Sequence, residues 1–128
     1  MIILAATTFD TDATITGDKF KGDGYYGHGD GLHTVSWSLN GFTGTIKIQG
    51  SLSDTPGAND WFDLRLGSST LGGFGVDTTG AALDSSVTSV AYTTETNNFS
   101  FNFKGNIVWV RAVIENFSAG TVNSIYMK

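Results

Sequence analysis

Twelve residues near the start of the chain carry its richest assortment of chemical groups: Gly22-Asp23-Gly24-Tyr25-Tyr26-Gly27-His28-Gly29-Asp30-Gly31-Leu32-His33. Two imidazoles, two carboxylates and five glycines in one stretch suit a loop that wraps a metal ion or an anion. Zinc would draw on His28, His33 and a carboxylate. Calcium would draw on Asp oxygens and loop carbonyls. The spacing matches neither an EF-hand nor a metalloprotease helix, and no P-loop lysine follows. His33 also falls on the inward side of the strand that follows, where a buried, hydrogen-bonded His is the commoner arrangement. The stretch reads as a loop with two aromatic anchors, Tyr25 and Tyr26, and no metal ligand is assigned.

Hydrolytic chemistry finds less to work with. Asp10 with Asp12 and Asp60 with Asp63 are carboxylate pairs of the kind a glycosidase uses, but that reaction needs a set separation within a cleft. Ten of the twelve acidic residues are Asp, so Asp is the ordinary surface charge of this chain. No Gly-x-Ser-x-Gly elbow and no cysteine nucleophile occurs. Asn98-Phe99-Ser100 and Asn116-Phe117-Ser118 fit the glycosylation pattern, without the signal peptide that would give it meaning. The expectation is a protein that is not an enzyme, with no catalytic residue and no cofactor.

The elements that must position these groups are strands. Of the 128 residues, 40% are hydrophobic and 15% charged, a globular composition. Thr, Ser, Gly and Asn dominate the polar half, whereas the helix formers Lys, Glu, Ala and Leu are scarce. The net charge is −5, and the seven basic residues are scattered (Lys19, Lys21, Lys47, Lys104, Lys128, Arg65, Arg111). Nucleic-acid binding needs clustered cations, so no nucleic-acid partner is expected. The absence of cysteine removes disulfides and thiolate metal sites and suits assembly in a reducing cytoplasm. No run approaches the ~20 apolar residues of a membrane span, so no membrane partner is expected either. The apolar start, Met1 to Thr7, reads as a first strand.

Two hairpins organise the expected fold. His33 to Leu39 and Phe42 to Leu52 alternate about Asn40-Gly41, a turn pair that accepts positive φ at both positions. Its register sets Leu39 opposite Phe42, Trp37 opposite Gly44, Val35 opposite Ile46 and His33 opposite Ile48, all facing inward. Trp37 would then shelter Gly44. Ser36, Ser38, Thr43, Thr45 and Lys47 would form a wet outer face. The second hairpin runs from Asn98 to Lys104, through Gly105-Asn106, to Ile107–Glu115. It buries Phe99, Phe101, Phe103, Val108, Val110, Ala112 and Ile114. A third turn at Asn116 to Gly120 leads into a closing strand at Thr121 to Met127. Further strands are expected near Ile2 to Ala6, Ala13 to Phe20, Trp61 to Leu66 and Val87 to Thr93. Asp54-Thr55-Pro56-Gly57 is a turn with Gly57 left-handed, and Gly67 to Ser86 a surface excursion. About eight short strands in one domain, residues 1–128, describe an all-β antiparallel sandwich.

Ile107, Trp109, Arg111 and Val113 make a row on the outer face of the second hairpin. Left bare, that row is a liability, so either another part of the chain covers it or a second subunit does. Asp63 is the expected acid partner of Arg111. Ile2, Ile3 and Leu4, in a terminal strand with an open edge, are the other expected subunit contact. Solvent-facing aromatics can alternatively stack on sugars.

Three segments together have a familiar look: Gly44-Thr45-Ile46-Lys47-Ile48-Gln49-Gly50-Ser51-Leu52, then Asp60-Trp61-Phe62-Asp63-Leu64, then Phe103 through Ala112 with Gly120 through Ile125. The pattern resembles small jelly-roll modules, galactose-binding-like in topology, that recur as virion structural proteins of tailed bacteriophages. It spans Phe42 to Ile125 with the middle unaligned. The resemblance implies a virion part without catalysis, assembled in the host cytoplasm. Such a part is a capsid decoration (cement) protein, or a tail, baseplate or fibre component that binds carbohydrate or a receptor. Its implied partners are further copies of itself and the major capsid protein or another virion protein.

Overall fold

Three long strands carry the fold. The computed structural model describes residues 2–4, 7–8, 14–27, 31–68 and 87–128. In chain order the strands are β1 (Ile2–Leu4), β2 (Thr7–Thr8), β3 (Ile15–Thr16), β4 (Phe20–Lys21), β5 (Leu32–Ser51), β6 (Phe62–Asp63), β7 (Gly67–Ser68), β8 (Val90–Lys104) and β9 (Trp109–Met127). A single 3-10 turn, Asp23–Tyr26, separates β4 from β5, and no α-helix occurs among the described residues. All pairings are antiparallel, in the order β1-β9-β5-β8-β7. The all-β antiparallel class expected from composition is therefore present.

The sheet makes two layers by folding over on itself. β5 pairs with β8 from Leu32↔Lys104 to Ile46↔Val90, and with β9 from Val35↔Met127 to Ser51↔Trp109. The register slips on both sides of β5 between Leu39 and Phe42, and again near Thr43 to Thr45. Bulges bend the strand that carries them. Along this line the backbone turns left-handed at Gly41 (φ 61°), Thr94 (φ 46°), Asn116 (φ 51°) and Gly120 (φ 87°), so all three long strands bend together. Peptide groups freed by the bend find side chains. Thr96 Oγ1 accepts the Gly41 N–H at 2.8 Å, and Thr43 Oγ1 accepts the Thr94 N–H at 2.9 Å.

This geometry corrects all three expected turns. Asn40-Gly41 lies inside one continuous strand as a bulged corner, so Leu39 and Phe42 pair with Asn97 and Glu95 of β8 and not with each other. Gly105-Asn106 does not join neighbouring strands either, because β5 lies between β8 and β9. That segment crosses the end of the sandwich, with Gly105 N–H on Gly31 O and Val108 N–H on Ser51 O, both at 3.0 Å. Asn116 to Gly120 is the bend of β9. Gly57 is not among the left-handed residues; its N–H instead bonds Asp60 Oδ2 at 2.7 Å. The expected excursion over Gly67 to Ser86 begins in β7, and its remainder, 69–86, lies outside the described residues.

The inward face expected of residues 33–50 holds, whereas just ahead of β9 Val108, expected inward, is only half-buried and Ile107, expected outward, is buried. His33, Val35, Trp37 and Leu39 are buried, and so are Phe42, Gly44, Ile46, Ile48 and Gly50. Phe103, Val110, Ala112 and Ile114 join them, with Phe99 and Phe101 packed at the margin. Each large apolar side chain buried in this way contributes roughly 1.5–3 kcal/mol. The shelter over Gly44 comes from Phe42, whose ring a Cβ at Gly44 would meet at 2.7 Å, and not from Trp37.

The N-terminal segment runs antiparallel beside β9 through both layers. Its rungs pass from Ile2↔Tyr126 through Thr7↔Val122 and Ile15↔Ile114 to Lys21↔Trp109. Of Met1 to Thr8, a segment expected to swap or pair with a neighbouring subunit, the described residues 2–4 and 7–8 pair with the chain's own β9 as β1 and β2.

Candidate functional site

Asp23, Gly31 and His33 are tied to one another by their own groups. His33 is buried at 4% exposure, its ring stacked on Phe103 with centroids 4.6 Å apart. Its Nδ1 donates to Gly31 O at 3.0 Å, while Nε2 accepts the Asp23 N–H at 3.3 Å. These partners assign the proton to Nδ1. Asp23 Oδ2 takes the Gly31 N–H at 3.0 Å, completing a clasp across the loop. Both ring nitrogens of His33 are thus committed to backbone. His28 and Asp30 lie outside the described residues, as do Asp10 and Asp12. The second carboxylate pair is divided between tasks: Asp60 caps Gly57, while Asp63 accepts from Gln49 Nε2 at 2.9 Å and pairs with Lys47 at 3.4 Å.

The outer row of β9 is covered largely by the chain itself. Ile107 (6% exposed) and Val113 (3%) are buried within the chain, so at these two positions another part of the chain, and not a second subunit, supplies the expected cover. β3 runs beside Val113, paired with it through Thr16. Trp109 is half-buried. Its indole N–H bonds Asp54 O at 3.1 Å, Tyr25 meets its ring edge-on at 5.2 Å, and Lys19 Nζ sits 4.4 Å from its centroid. Arg111 lies 4.1 Å over the Trp61 ring and donates through Nε to Gln49 Oε1 at 2.9 Å. Burial pulls its pKa down. Asp63, its expected partner, is taken by Lys47, which also holds Glu115 at 2.9 Å. Burial works against the Lys47 charge, but the Glu115 hydrogen bond and the two carboxylates outweigh it, and its pKa is raised.

Of the expected terminal contacts, Ile2 is half-exposed at 47%, and Ile3 and Leu4 contribute backbone to β1. Ile2 belongs to a transverse row that single-strand patterns do not reveal. Across the first layer the Cα rungs run Ile2↔Tyr126↔Ser36↔Ser100. Tyr126 is 49% exposed, and two adjoining depressions share it with Ser36. One, of about 460 Å³, is lined by Ser36, Ser38, Asn98, Asn123, Ser124 and Tyr126 among others, with no charged side chain. Asn123 Nδ2 donates to Ser38 Oγ at 3.2 Å, so part of this face is ordered by its own bonds. Ser36 and Ser38 were legible as an outer polar face. Tyr126 and Asn123 were not, because their placement beside β5 depends on the pairing of β9.

Known proteins add one likeness. The crystal structure of SPBc2 prophage-derived protein YomS is similar over 97% of this chain and 92% of that one, at 16% identity and a TM-score of 0.47. No family model matches the chain, and no curated protein matches it.

A third cavity lies where the two ends of β9 meet. It holds about 580 Å³ between Trp109 at the start of the strand and Met127 and Lys128 at its end. Phe20, Tyr26, Lys19 and Lys21 complete its lining.

Proposed function

We propose that the chain is a non-enzymatic structural protein of a phage particle, a capsid decoration protein that docks through the outer face of its first layer. The observation that carries this is the uncharged hydroxyl- and amide-bearing surface around Ser36, Ser38, Asn98 and Asn123, with Tyr126 and Ile2 half-exposed in line. Protein interfaces are depleted of charge at their centres and enriched in Tyr, and in antibody-like binding surfaces Tyr supplies rigid contact area while Ser and Asn supply adaptable hydrogen bonds. The sequence resemblance to phage jelly-roll modules supports the same reading. In the alternative reading the chain is a carbohydrate- or receptor-binding module of tail, baseplate or fibre, favoured by the lysine and aromatic lining of the third cavity.

The test combines cryo-electron microscopy of purified particles with light scattering of the isolated chain. The expected result is density for the chain on the capsid, with the Tyr126 face at the contact. Tyr126→Asp then abolishes incorporation while leaving the circular dichroism spectrum intact. Particles that lack the chain, or that bury a different face, would overturn the proposal.

A further inference from the structure

The third cavity concentrates positive charge on an acidic protein. Three of the seven basic residues, Lys19, Lys21 and Lys128, line it, and no carboxylate side chain does. None of the three makes an ion pair among the described residues. Two of the ammonium groups rest instead on rings, Lys19 over Trp109 at 4.4 Å and Lys21 over Tyr25 at 4.3 Å. A ring face orients an ammonium without cancelling its charge, so the cations remain available to an anion.

Two of the three backbones are held. Lys21 is paired with Trp109 in β4, and Lys128 exchanges both backbone hydrogen bonds with Thr34, at 2.9 and 3.0 Å. The walls between the lysines are aromatic. Tyr26 is 73% exposed and meets Tyr25 edge-on at 5.3 Å, and Tyr25 in turn meets Trp109. About 580 Å³ is the size of a small-molecule site. An aromatic wall with cations at the rim matches a ring that is apolar on its faces and anionic at one substituent.

We infer that this cavity binds an anionic sugar, one carrying a carboxylate or a phosphate, with the sugar face on Tyr26 and the charged group between Lys19, Lys21 and Lys128. The inference names a ligand class for the carbohydrate-binding reading and rests on that reading alone. It does not depend on where the protein sits in a particle, since ligand binding and incorporation are measured separately. A polyanion such as RNA would meet the field of a chain with net charge −5, whereas a single sugar meets mainly the local cations.

The experiment is an amide-shift titration of the isolated protein with glucuronate, glucose 6-phosphate, glucose and inorganic phosphate, and with a single-stranded oligonucleotide. The expected result is saturable shifts confined to residues 19–26, the Trp109 indole and Lys128, from one or both anionic sugars. Lys19→Gln and Lys21→Gln, both at exposed positions, should each weaken that binding about tenfold, the scale of one charged hydrogen bond. Equal binding by glucose would remove the lysines' role, and phosphate alone binding as tightly would remove that of the rings. Stronger binding by the oligonucleotide, shifts at Tyr126 instead, or no shift with either anionic sugar would each overturn the inference.

Discussion

The indole N–H of Trp37 donates a 3.0 Å hydrogen bond to the phenol oxygen of Tyr92 in the buried core. Trp37 lies in the first layer and Tyr92, paired beside Gly44, in the second, so the bond joins the halves of the folded sheet. Tyr92→Phe should leave the indole donor buried without a partner, at a cost of about 1–3 kcal/mol measured by urea denaturation.

The same phenol makes stability fall in alkali. Burial pushes the Tyr92 pKa up to about 12 from an ordinary 10. Between those values the unfolded phenol has lost its proton while the folded one keeps it. Its contribution, about 3 kcal/mol at most, is therefore complete below pH 10 and lost as pH rises towards 12. Tyr92→Phe should remove that part of the slope in a series of melts.

Gly120 and Gly41 are both left-handed, but only one is also crowded. A Cβ on Gly120 would lie 2.2 Å from Gly41 O and 2.6 Å from Phe42 Cα, whereas one on Gly41 meets nothing within 4 Å. Gly41→Ala should cost only the backbone conformation, about 1–2 kcal/mol. Gly120→Ala must displace main chain at the bend and should cost clearly more. Chemical denaturation of the two variants gives the comparison.

His33 uses both ring nitrogens on backbone. Added zinc, or removal of metal by a chelator, should leave the melting temperature unchanged. His33→Ala should instead loosen the Asp23 to Gly31 clasp, read as faster amide exchange at those two residues.

Arg111 makes two contacts that lysine cannot combine, a guanidinium over the Trp61 ring and an Nε bond to Gln49. Arg111→Lys should therefore destabilise by about 0.5–1 kcal/mol although charge is kept. Near-neutral behaviour in denaturant melts would assign the ring contact no net worth.

Which side chains of β5 face the core was legible in the sequence, and how the strands pair was not. Burial falls on odd positions through Leu39 and on even positions from Phe42. A two-residue turn and a bulged corner both produce that switch, and Asn-Gly suits either because each needs positive φ. The aromatic repeat of Phe99, Phe101 and Phe103 likewise marked an inward face whether its strand partner was β9 or β5. Arg111's neighbours were missed for the same reason: Gln49 reaches it through the β5–β9 ladder, which a local hairpin reading excludes. The lysine cavity was hidden because Lys19, Lys21 and Lys128 look scattered until β9 folds its two ends together.

Lys104 and Trp109 are only a few positions apart, yet their strands share no ladder because β5 runs between them. This chain therefore cannot zip its core from a local reversal. Leu32 must find Lys104, and Ser51 must find Trp109, across long stretches of intervening sequence before either rung is gained. Refolding is accordingly expected on the millisecond-to-second scale of nonlocal β topologies. A transient in which β8 and β9 collapse together ahead of β5 would be a kinetic trap with open strand edges, prone to pairing between chains at high concentration.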